Sequence, residues 1–288
     1  MKKRILFIIN PISGVGKKNI LPDLIKSHID ESIFSYEIVY TEYRGHARII
    51  SKEAADNGFD IVCVAGGDGS VNEAGTALIN RKTALAILPT GSGNGIARHL
   101  GLSMRLKSAL KRINLQKLDT IDTVTLNSRH FIGVSGFGFD AFIAKRFDEY
   151  HSRGLFSYVR LVLREFKNYK GISVVINENK SYSNLLFCSV ANTSQFGNGF
   201  FISPKSNVKD GNFEIVVVSL PRTLGFIRLL FSSLIGTVHR SKYVEYIQTD
   251  NAQIRVQQKV GHIDGEPIEL KDFLIHLNCQ PKSLSVIV

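Results

Sequence analysis

The stretch Val64-Ala65-Gly66-Gly67-Asp68-Gly69-Ser70-Val71-Asn72-Glu73 decides how the first part of this chain folds. An apolar, strand-like run (residues 61–65) leads into it, and a helix-like run follows from Val71. Glycines leave the main chain open to a ligand, and the N–H groups at the start of a helix attract anions. The stretch therefore predicts a phosphate site that contains a carboxylate. A plain strand-to-helix turn capped by Asp68 explains the same tetrapeptide equally well.

Strands and helices alternate on both sides of this stretch. The pattern predicts strands at 4–10, 36–41, 61–65 and 84–88, and helices at 19–29, 46–57 and 71–79. Such alternation is typical of a parallel sheet covered by helices. Three strand ends lead into polar or glycine-rich loops, which begin at Asn10, Gly66 and Pro89. Because ligands bind at the carboxyl ends of parallel strands, we expect these loops to form one crevice.

The pattern changes after Asp119, where short β-rich segments replace the alternation. Strands are predicted at 120–126, 130–134, 173–176, 185–191, 213–218, 245–249 and 253–257, with helices at 139–150, 157–169 and 223–239. The predicted fold class is therefore α/β plus mainly β. A parallel-sheet nucleotide domain spans residues 1–120, and a mainly antiparallel β domain spans residues 121–282. The final run, 283–288, is predicted as a strand that belongs to either domain.

Composition excludes several classes of protein. The chain has 288 residues, of which 44% are hydrophobic, as expected of a globular protein. The most apolar long stretch, 224–238, is interrupted by Arg228 and by two serines, so we expect no transmembrane segment. Residues 5–9 are better interpreted as a first strand than as the core of a secretion signal. Three separated cysteines, in strand-like contexts, indicate neither a disulfide framework nor a metal site, which fits the reducing cytoplasm.

The chain is basic, with 36 Lys and Arg against 25 Asp and Glu and a net charge of +11. Basic residues concentrate in 98–117, which has no acidic residue, and in 145–170. A solvated helix face is the default explanation for each segment. The sequence has no tandem pattern of aromatic and basic residues of the kind that stacks nucleic-acid bases. We therefore expect no nucleic-acid partner, and a membrane surface is the better candidate partner for the basic segments.

Two common nucleotide motifs are excluded by their spacing. Residues 10–18 lack the first glycine of a P-loop, and Lys18 takes the place of its hydroxyl residue. Neither 14–16 nor 91–93 is followed by the third glycine of the dinucleotide fingerprint. A standard dinucleotide-binding dehydrogenase is therefore not expected.

Four motifs occur in series along the chain: Asn10-Pro11-Ile12-Ser13-Gly14, the run 66–72, the run 89–94 followed by Ile96-Ala97-Arg98, and Asp264-Gly265-Glu266-Pro267. In this order they resemble the diacylglycerol kinase catalytic-domain family, which includes bacterial lipid kinases and the sphingosine and ceramide kinases. The resemblance implies a C-terminal β-sandwich, a cleft between the domains that binds ATP and Mg²⁺, and a lipid acceptor that enters from the second domain.

The resemblance also implies roles for individual residues. The nucleotide would be held by residues of the first domain, namely Asn10, Pro11, Ser13, Gly14, Thr41, Gly66, Gly67, Asp68, Gly69, Ser70, Asn72, Thr90, Gly91, Ser92, Gly93 and Asn94. The catalytic candidates are Asp68, Asp264 and Glu266. We favour Glu266 as the proton acceptor, with Asp68 near the metal and the phosphates, because phosphoryl transfer needs both an oriented hydroxyl and charge neutralisation. Considered alone, Asp264-Gly265 is an ordinary hairpin turn.

A second metal site is implied in the long polar loop 193–212. The resemblance assigns Mg²⁺ to the Asp210 carboxylate with the main-chain carbonyls of Asn207 and Asn212, and it links Asp122 to the same metal. A simple turn at Asp210 is a nearly equal alternative, and an exposed strand aspartate would look the same as Asp122. Asp140 is assigned either to a lipid head group or to a helix cap.

The activity expected from the resemblance is that of an ATP-dependent lipid kinase at the inner face of the cytoplasmic membrane, with diacylglycerol as the first candidate acceptor. Gly95 stands where many bacterial members have aspartate, which favours a sphingoid-base or ceramide-type acceptor as the alternative. A soluble kinase that resembles NAD kinase and a non-enzymatic sensor are the other hypotheses. A homodimer is one of the states that the sequence leaves open.

Overall fold

The computed structural model describes residues 2–13, 20–149 and 155–288. The chain divides into two compact units, which we call unit 1 (residues 1–121 and 282–288) and unit 2 (residues 122–281). Each unit has its own hydrophobic core.

Unit 1 alternates strands and helices. Its elements are β1 (Lys3–Ile9), α1 (Leu21–His28), β2 (Phe34–Tyr40), α2 (His46–Asp56), β3 (Ile61–Gly66), α3 (Asp68–Ala77), β4 (Ala84–Pro89), α4 (Gly95–His99) and α5 (Leu106–Asn114). The strands lie in the order β2-β1-β3-β4 and are all parallel. Every residue of β3 and β4 is buried, as expected for strands that helices cover on both faces. The predicted parallel sheet is confirmed.

The basic segment 98–117 forms part of this covering layer. Helix α5 turns Leu106, Leu110 and Ile113 toward the core and leaves Lys107 and Lys111 exposed. The spacing of these residues is that of one amphipathic helix. Within this segment, α5 therefore has the solvent-exposed basic face that was the default explanation for its charge pattern.

The glycine-rich loop after β3 is shorter than predicted. Helix α3 begins at Asp68 and not at Val71, because Gly67 is still extended and the N–H of Val71 already donates to the Gly67 carbonyl at 3.0 Å. Asp68, Gly69 and Ser70 therefore form the first turn of a helix. Only Gly67 remains between the strand and the helix.

Unit 2 consists mainly of β-strands. The remaining elements are β5 (Leu118–Leu126), β6 (Arg129–Phe131), β7 (Val134–Gly138), α6 (Phe139–Glu149), α7 (Leu155–Phe166), β8 (Ile172–Ile176), β9 (Lys180–Ala191), β10 (Gln195–Gly197), β11 (Phe200–Phe201), β12 (Phe213–Ser219), α8 (Thr223–Leu234), β13 (Val244–Thr249), β14 (Asn251–Val256), β15 (Val260–Ile263), β16 (Glu266–Glu269) and β17 (Leu274–Ile287). Strand β5 begins in unit 1, and β17 ends there.

The long strand β9 organises unit 2. Along one edge its first half pairs with β8 and its second half with β7, while its other edge pairs with β12. Beyond these strands, β15 pairs with β7 and β16, β14 with β8 and β17, and β13 with β12, all antiparallel. The predicted antiparallel β-sandwich is confirmed.

Strand β12 shows how the two faces of this sheet are filled. Ile215 and Val217 belong to one core cluster, and Val216 and Val218 belong to the other. Side chains alternate between the faces of a strand, so a strand that is buried on both faces reads as a continuous apolar run. The second cluster also contains the inner faces of α6, α7 and α8.

One strand and one helix of unit 2 differ from their predicted bounds for reasons that the structure shows. The strand predicted at 130–134 is divided into β6 and β7, because the N–H groups of Ile132 and Gly133 bond to a carboxylate and not to a neighbouring strand. The helix predicted at 223–239 ends at Leu234. Gly236, with φ of 73°, terminates it in the left-handed conformation, and a short 3₁₀ turn follows at Val238–Arg240.

The end of the chain returns to the sheet of unit 1, where Val286 pairs in parallel with Leu85. All three cysteines are buried, and none of them forms a disulfide. Among the described residues, no helix has the length and apolar character that crossing a bilayer requires.

Candidate functional site

The loops that follow β1, β3 and β4 are joined by side-chain hydrogen bonds. The Nδ2 of Asn10 donates to the Ser70 Oγ at 2.9 Å, and the Ser13 and Thr90 hydroxyls lie 2.9 Å apart. The N–H of Thr41, after β2, donates to the Ile9 carbonyl and so lies at the same edge of the sheet. The structure thus brings together the strand ends that the sequence predicts as one crevice.

Backbone contacts hold the β3 and β4 loops even closer. The Gly66 carbonyl accepts the N–H groups of Thr90 and Gly91, at 3.1 and 3.2 Å. A β-carbon at Gly66 would lie 2.5 Å from the Ser70 Cβ, and one at Gly91 would overlap the Gly67 Cα. Gly66 is therefore required by the first turn of α3, and Gly91 by the packing of one loop against the other.

Asp68 connects the two loops through its carboxylate. Its Oδ2 accepts the N–H of Gly95 and its Oδ1 that of Ile96, both at 3.0 Å. These donors belong to the first turn of α4, whose own N-cap residue, Asn94, is left-handed and makes no capping bond with its side chain. Asp68 therefore caps a helix other than its own. Burial raises the pKa of Asp68 above its ordinary value, and the bonds from backbone N–H groups act in the opposite direction.

Two buried amide oxygens at this site lack a partner. Among the residues that the structure describes, the Oδ1 atoms of Asn72 and Asn94 are buried and accept no hydrogen bond. The Nδ2 of Asn94 donates to the Gly91 carbonyl at 2.7 Å, which fixes the amide. Buried acceptors of this kind are normally satisfied, so a donor or a cation fits here.

The other candidates of unit 1 lie in the same loops. Pro11, Gly69 and Gly93 are partly exposed, and Ser92 is exposed. Thr41 and Thr90 are buried. Gly14 lies outside the described residues.

The two catalytic candidates of unit 2 occupy different places in one hairpin. Asp264 and Gly265 have φ of 49° and 82° and form the tight turn between β15 and β16, in which Ile263 pairs with Glu266. The Asp264 carboxylate accepts the N–H groups of Ile132, Gly133 and Val134, at 3.2, 2.9 and 2.8 Å. These bonds fasten the turn to residues 132–134. Glu266 is the first residue of β16 and is partly exposed.

The predicted metal loop surrounds Asp210. The Asp210 Oδ1 accepts the N–H of Asn212 at 3.0 Å, and the carboxylate of buried Asp122 accepts the N–H of Gly211 at 2.7 Å. The Asn207 Oδ1 accepts the N–H of Lys209. Within the described ranges, no group of three His, Cys, Asp or Glu side chains is positioned to hold a metal by itself. A metal here would need main-chain carbonyls beside the two carboxylates, and an oxygen-only set of this kind suits Mg²⁺.

Negative charge accumulates around this loop. Burial raises the pKa of Glu214, and the Asp210 carboxylate raises it further. Burial together with Asp122, Asp210 and Asp250 raises the pKa of the Cys279 thiol to about 12. Neighbouring carboxylates disfavour one another's charged forms, and a bound cation removes that cost.

A buried polar cluster around Asp140 lies beside the hairpin in unit 2, and no sequence motif indicates its other members, Ser189 and His262. The Asp140 Oδ2 accepts the Ser189 hydroxyl at 2.6 Å and lies 3.2 Å from the His262 Nε2. Asp140 thus points into unit 2, where its side chain is 8% exposed. Buried Asn192, also missed, donates to the carbonyls of Asp122 and Ile132. A polar residue inside an otherwise apolar strand is the one signal that points to His262 and Ser189 in the sequence.

Comparisons with known proteins match both units. The family model of the diacylglycerol kinase catalytic domain matches residues 4–126, and that of the YegS C-terminal NAD kinase beta sandwich-like domain matches residues 133–288, more than half of the chain. A diacylglycerol kinase of Bacillus subtilis (strain 168) is 28% identical over an alignment of 283 residues that covers 92% of this chain and 90% of the relative.

Solved structures show the same fold. A diacylglycerol kinase from Bacillus anthracis str. Sterne superposes with a TM-score of 0.71 at 19% sequence identity. The superposition covers 99% of this chain and 96% of that kinase. An NAD kinase from Archaeoglobus fulgidus in complex with ATP gives a TM-score of 0.54 at 11% identity, with coverages of 99% and 93%. At these identities the likeness concerns the fold alone.

Proposed function

The chain belongs to the diacylglycerol kinase catalytic-domain family, and from this premise we propose that it is an ATP-dependent lipid kinase. It transfers the γ-phosphate of ATP to the hydroxyl of a lipid such as diacylglycerol. The observation that carries this proposal is the joined set of loops in unit 1, in which the Asp68 carboxylate ties the first turn of α3 to that of α4.

These loops suit a phosphate donor for two physical reasons. Gly67, the N-cap residue of α3, has no side chain that can accept the N–H groups of the first turn, which leaves them for an anion. The unpartnered amide oxygens of Asn72 and Asn94 supply acceptors beside them. The nucleotide residues predicted from the sequence therefore stay our proposal for the ATP site, with Mg²⁺ bound to its phosphates.

Backbone hydrogen bonds indicate the roles of two of the acidic candidates, Asp68 and Asp264. Both oxygens of Asp68 and the carboxylate of Asp264 already accept backbone N–H groups, which fixes the positions of these side chains. We therefore assign a positioning role to both of them. Glu266 accepts the proton of the lipid hydroxyl.

We further propose that Mg²⁺ binds the loop around Asp210, with Asp122 as its second carboxylate. The accumulated negative charge and the oxygen-only donor set support this assignment. A metal at this place holds the polar loop 207–212 against β5. Its effect is on stability and not on the phosphoryl transfer itself.

The enzyme would work in the cytoplasm at the inner face of the membrane, where lipid acceptors reside. Diacylglycerol is the acceptor that we favour, because the relative from Bacillus subtilis is named a diacylglycerol kinase. A sphingoid base or ceramide is the second candidate acceptor, because Gly95 stands where many bacterial members of the family have aspartate. The likeness to NAD kinase concerns the fold alone and does not favour a soluble acceptor.

A single assay tests the proposal. The protein is incubated with Mg²⁺ and ATP labelled at the γ-phosphate, and with a panel of diacylglycerol, sphingosine, ceramide, phosphatidylglycerol and NAD. We expect label in a lipid product and none in the NAD fraction. Transfer to NAD alone would identify a soluble kinase, and binding of ATP without transfer to any acceptor would identify a sensor.

A further inference from the structure

Helix α8 has an apolar face that unit 2 leaves exposed. On its inner side Phe226 stacks on Phe166 of α7 with ring centroids 3.7 Å apart, and Leu229 is buried in the same cluster. Its outer side carries five large apolar side chains, each between 45% and 63% exposed: Leu224, Ile227, Phe231, Leu234 and Ile235. We call these five residues the α8 face. Their spacing places them on one side of the helix.

This exposure is concentrated and not scattered. In the described part of the chain, fourteen large hydrophobic residues are exposed, and five of them form the α8 face. Single exposed apolar residues are normal on protein surfaces, whereas a contiguous patch marks an interaction site. A helix that is apolar on both sides is expected to be buried on both sides. The inner side of α8 has its partner within unit 2, and the outer side requires another.

The charge around the α8 face indicates the chemistry of that partner. From residue 215 to residue 244 the sequence contains no aspartate or glutamate. It contains four arginine or lysine residues, all exposed: Arg222, Arg228, Arg240 and Lys242. The partner is therefore apolar where it meets the helix and negatively charged around it, as is a bilayer with anionic head groups.

A second copy of this chain fits the α8 face poorly. A two-fold contact through the same face would bring the Arg228 side chains of both copies to one interface, without an acidic residue from the same segment to pair with them. Each chain also carries a net charge of +11. Both terms oppose self-association and favour an anionic lipid surface.

We propose that the α8 face docks the protein on the surface of an anionic bilayer, with the helix lying in the plane of the interface. The 12 residues of α8 span roughly 18 Å, against about 30 Å of bilayer hydrocarbon, so the helix lies on the membrane and does not cross it. The inference rests on the proposed function in one respect, since a lipid kinase must take its acceptor from a bilayer.

Co-sedimentation with vesicles tests the docking without using catalysis. The full chain is mixed with vesicles of phosphatidylcholine alone or with phosphatidylglycerol added. We expect the wild type to sediment with the anionic vesicles, and the double variant Ile227→Glu, Phe231→Glu to lose at least tenfold in affinity. The control is Ile49→Glu, Leu115→Glu, which changes two exposed apolar residues of unit 1 by the same charge and should keep the wild-type affinity.

The outcomes are distinct. Equal vesicle affinity for wild type and the α8 variant overturns the proposal, as does an equal loss in the control. A wild type that is dimeric by light scattering and becomes monomeric only in the α8 variant would show that a second copy covers the face. Thermal unfolding of both variants near the wild-type temperature confirms that they are folded.

Kinase assays then separate this inference from the proposed function. With long-chain diacylglycerol in anionic vesicles, the α8 variant should lose activity at least tenfold. With short-chain diacylglycerol dispersed as monomers, it should match the wild type. If the wild type phosphorylates neither lipid, the proposed function fails, while the sedimentation result still decides whether the α8 face binds membranes.

Discussion

Gly91 approaches Gly67 so closely that a β-carbon at position 91 would overlap the Gly67 Cα. This contact joins the loop after β4 to the loop after β3, and the same loops share the Gly66 carbonyl as a common acceptor. Packing of the two loops therefore requires glycine at position 91, whether or not a ligand binds there. A ligand at this edge meets a backbone that is already fixed, which lowers the entropy cost of binding.

Replacing Gly91 by alanine should therefore disturb both loops. The β-carbon has only backbone and the Asn94 amide to displace, so we expect the free energy of unfolding to fall by about 1–3 kcal/mol, and ATP affinity to fall with it. Urea denaturation and ATP titration measure the two effects. Ser108→Ala is the matched control, because Ser108 is exposed on α5 of the same unit and lies outside the proposed ATP site. A Gly91→Ala variant as stable as the wild type would contradict the contact.

His99, the last residue of α4, should make the stability of the chain depend on pH. Burial lowers the pKa of His99 to about 4, whereas the unfolded chain has the ordinary value of 6.5. Between these values the unfolded state binds a proton that the folded state does not. The free energy of unfolding therefore falls as the pH drops through this window, by at most about 1.4 kcal/mol per pH unit.

His99→Gln should remove this contribution. Burial raises the pKa of Asp68, which acts in the opposite sense, but Asp68 is unchanged in the variant and cancels in the comparison. Urea denaturation from pH 8 to pH 4 gives the difference between the two proteins. We expect it to be constant near pH 8 and to change in favour of the variant below pH 6.5. Parallel profiles over the whole range would show that folding does not lower the pKa of His99.

Strands and helices of this fold could be predicted from the sequence because their signals are local. The run Ile5–Ile9 and the strands β3 and β4 are continuously apolar, and polar residues or glycine follow at their ends (Asn10, Gly67 and Thr90). Such strands need helices on both faces, which the alternating pattern supplies. Their bounds fall within a few residues of the prediction.

The side-chain contacts of the site could not be predicted in the same way. Asp68 accepts N–H groups that lie 27 and 28 residues further along, and Asp264 accepts some that lie more than 130 residues earlier. No periodicity within a segment encodes such a bond. Motif order indicated the three loops of unit 1 that meet, whereas the fold shows that Asp68 and Asp264 accept backbone N–H groups.

The buried contact between Asp140 and His262 gives a further prediction. A β-carbon at Gly136 would overlap the Asp140 Oδ2 and lie 2.9 Å from the His262 Nε2, so Gly136→Ala should separate the pair. We expect the free energy of unfolding to fall by about 1–3 kcal/mol. Ser189→Ala, which removes the hydroxyl bond to Asp140, should combine with it less than additively in a double-mutant cycle. Strict additivity would show that the three side chains do not act as one cluster.

Mg²⁺ should stabilise the wild type in the absence of nucleotide. A ligand that binds only the folded state at a hundred times its Kd adds about 2.7 kcal/mol to the free energy of unfolding. We expect Asp210→Asn and Asp122→Asn to lose this gain, as measured by thermal unfolding with and without Mg²⁺. Asp272→Asn is the control, because Asp272 is an exposed carboxylate in the same unit. A gain that persists in Asp210→Asn would refute the metal assignment.

Substitutions at Glu266 and Asp264 should have different effects: the first should lower kcat, and the second should lower stability. Glu266→Gln keeps the shape of the side chain and removes the proton acceptor, so we expect kcat to fall about a hundred- to ten-thousand-fold with unchanged stability. Asp264→Asn keeps a residue that tolerates positive φ but weakens the bonds to three N–H groups. Its free energy of unfolding should fall by about 1–3 kcal/mol, with kcat reduced only several-fold.

The comparison needs kinetics and urea denaturation on the same preparations, with Glu269→Gln as the control for losing a carboxylate from β16. Glu269 is exposed at the far end of the strand, so this variant should match the wild type in both measurements. If Asp264→Asn abolished turnover without loss of stability while Glu266→Gln remained active, the proton acceptor would be Asp264. The three hydrogen bonds to its carboxylate argue against that result, because they tie its oxygens to the backbone of residues 132–134.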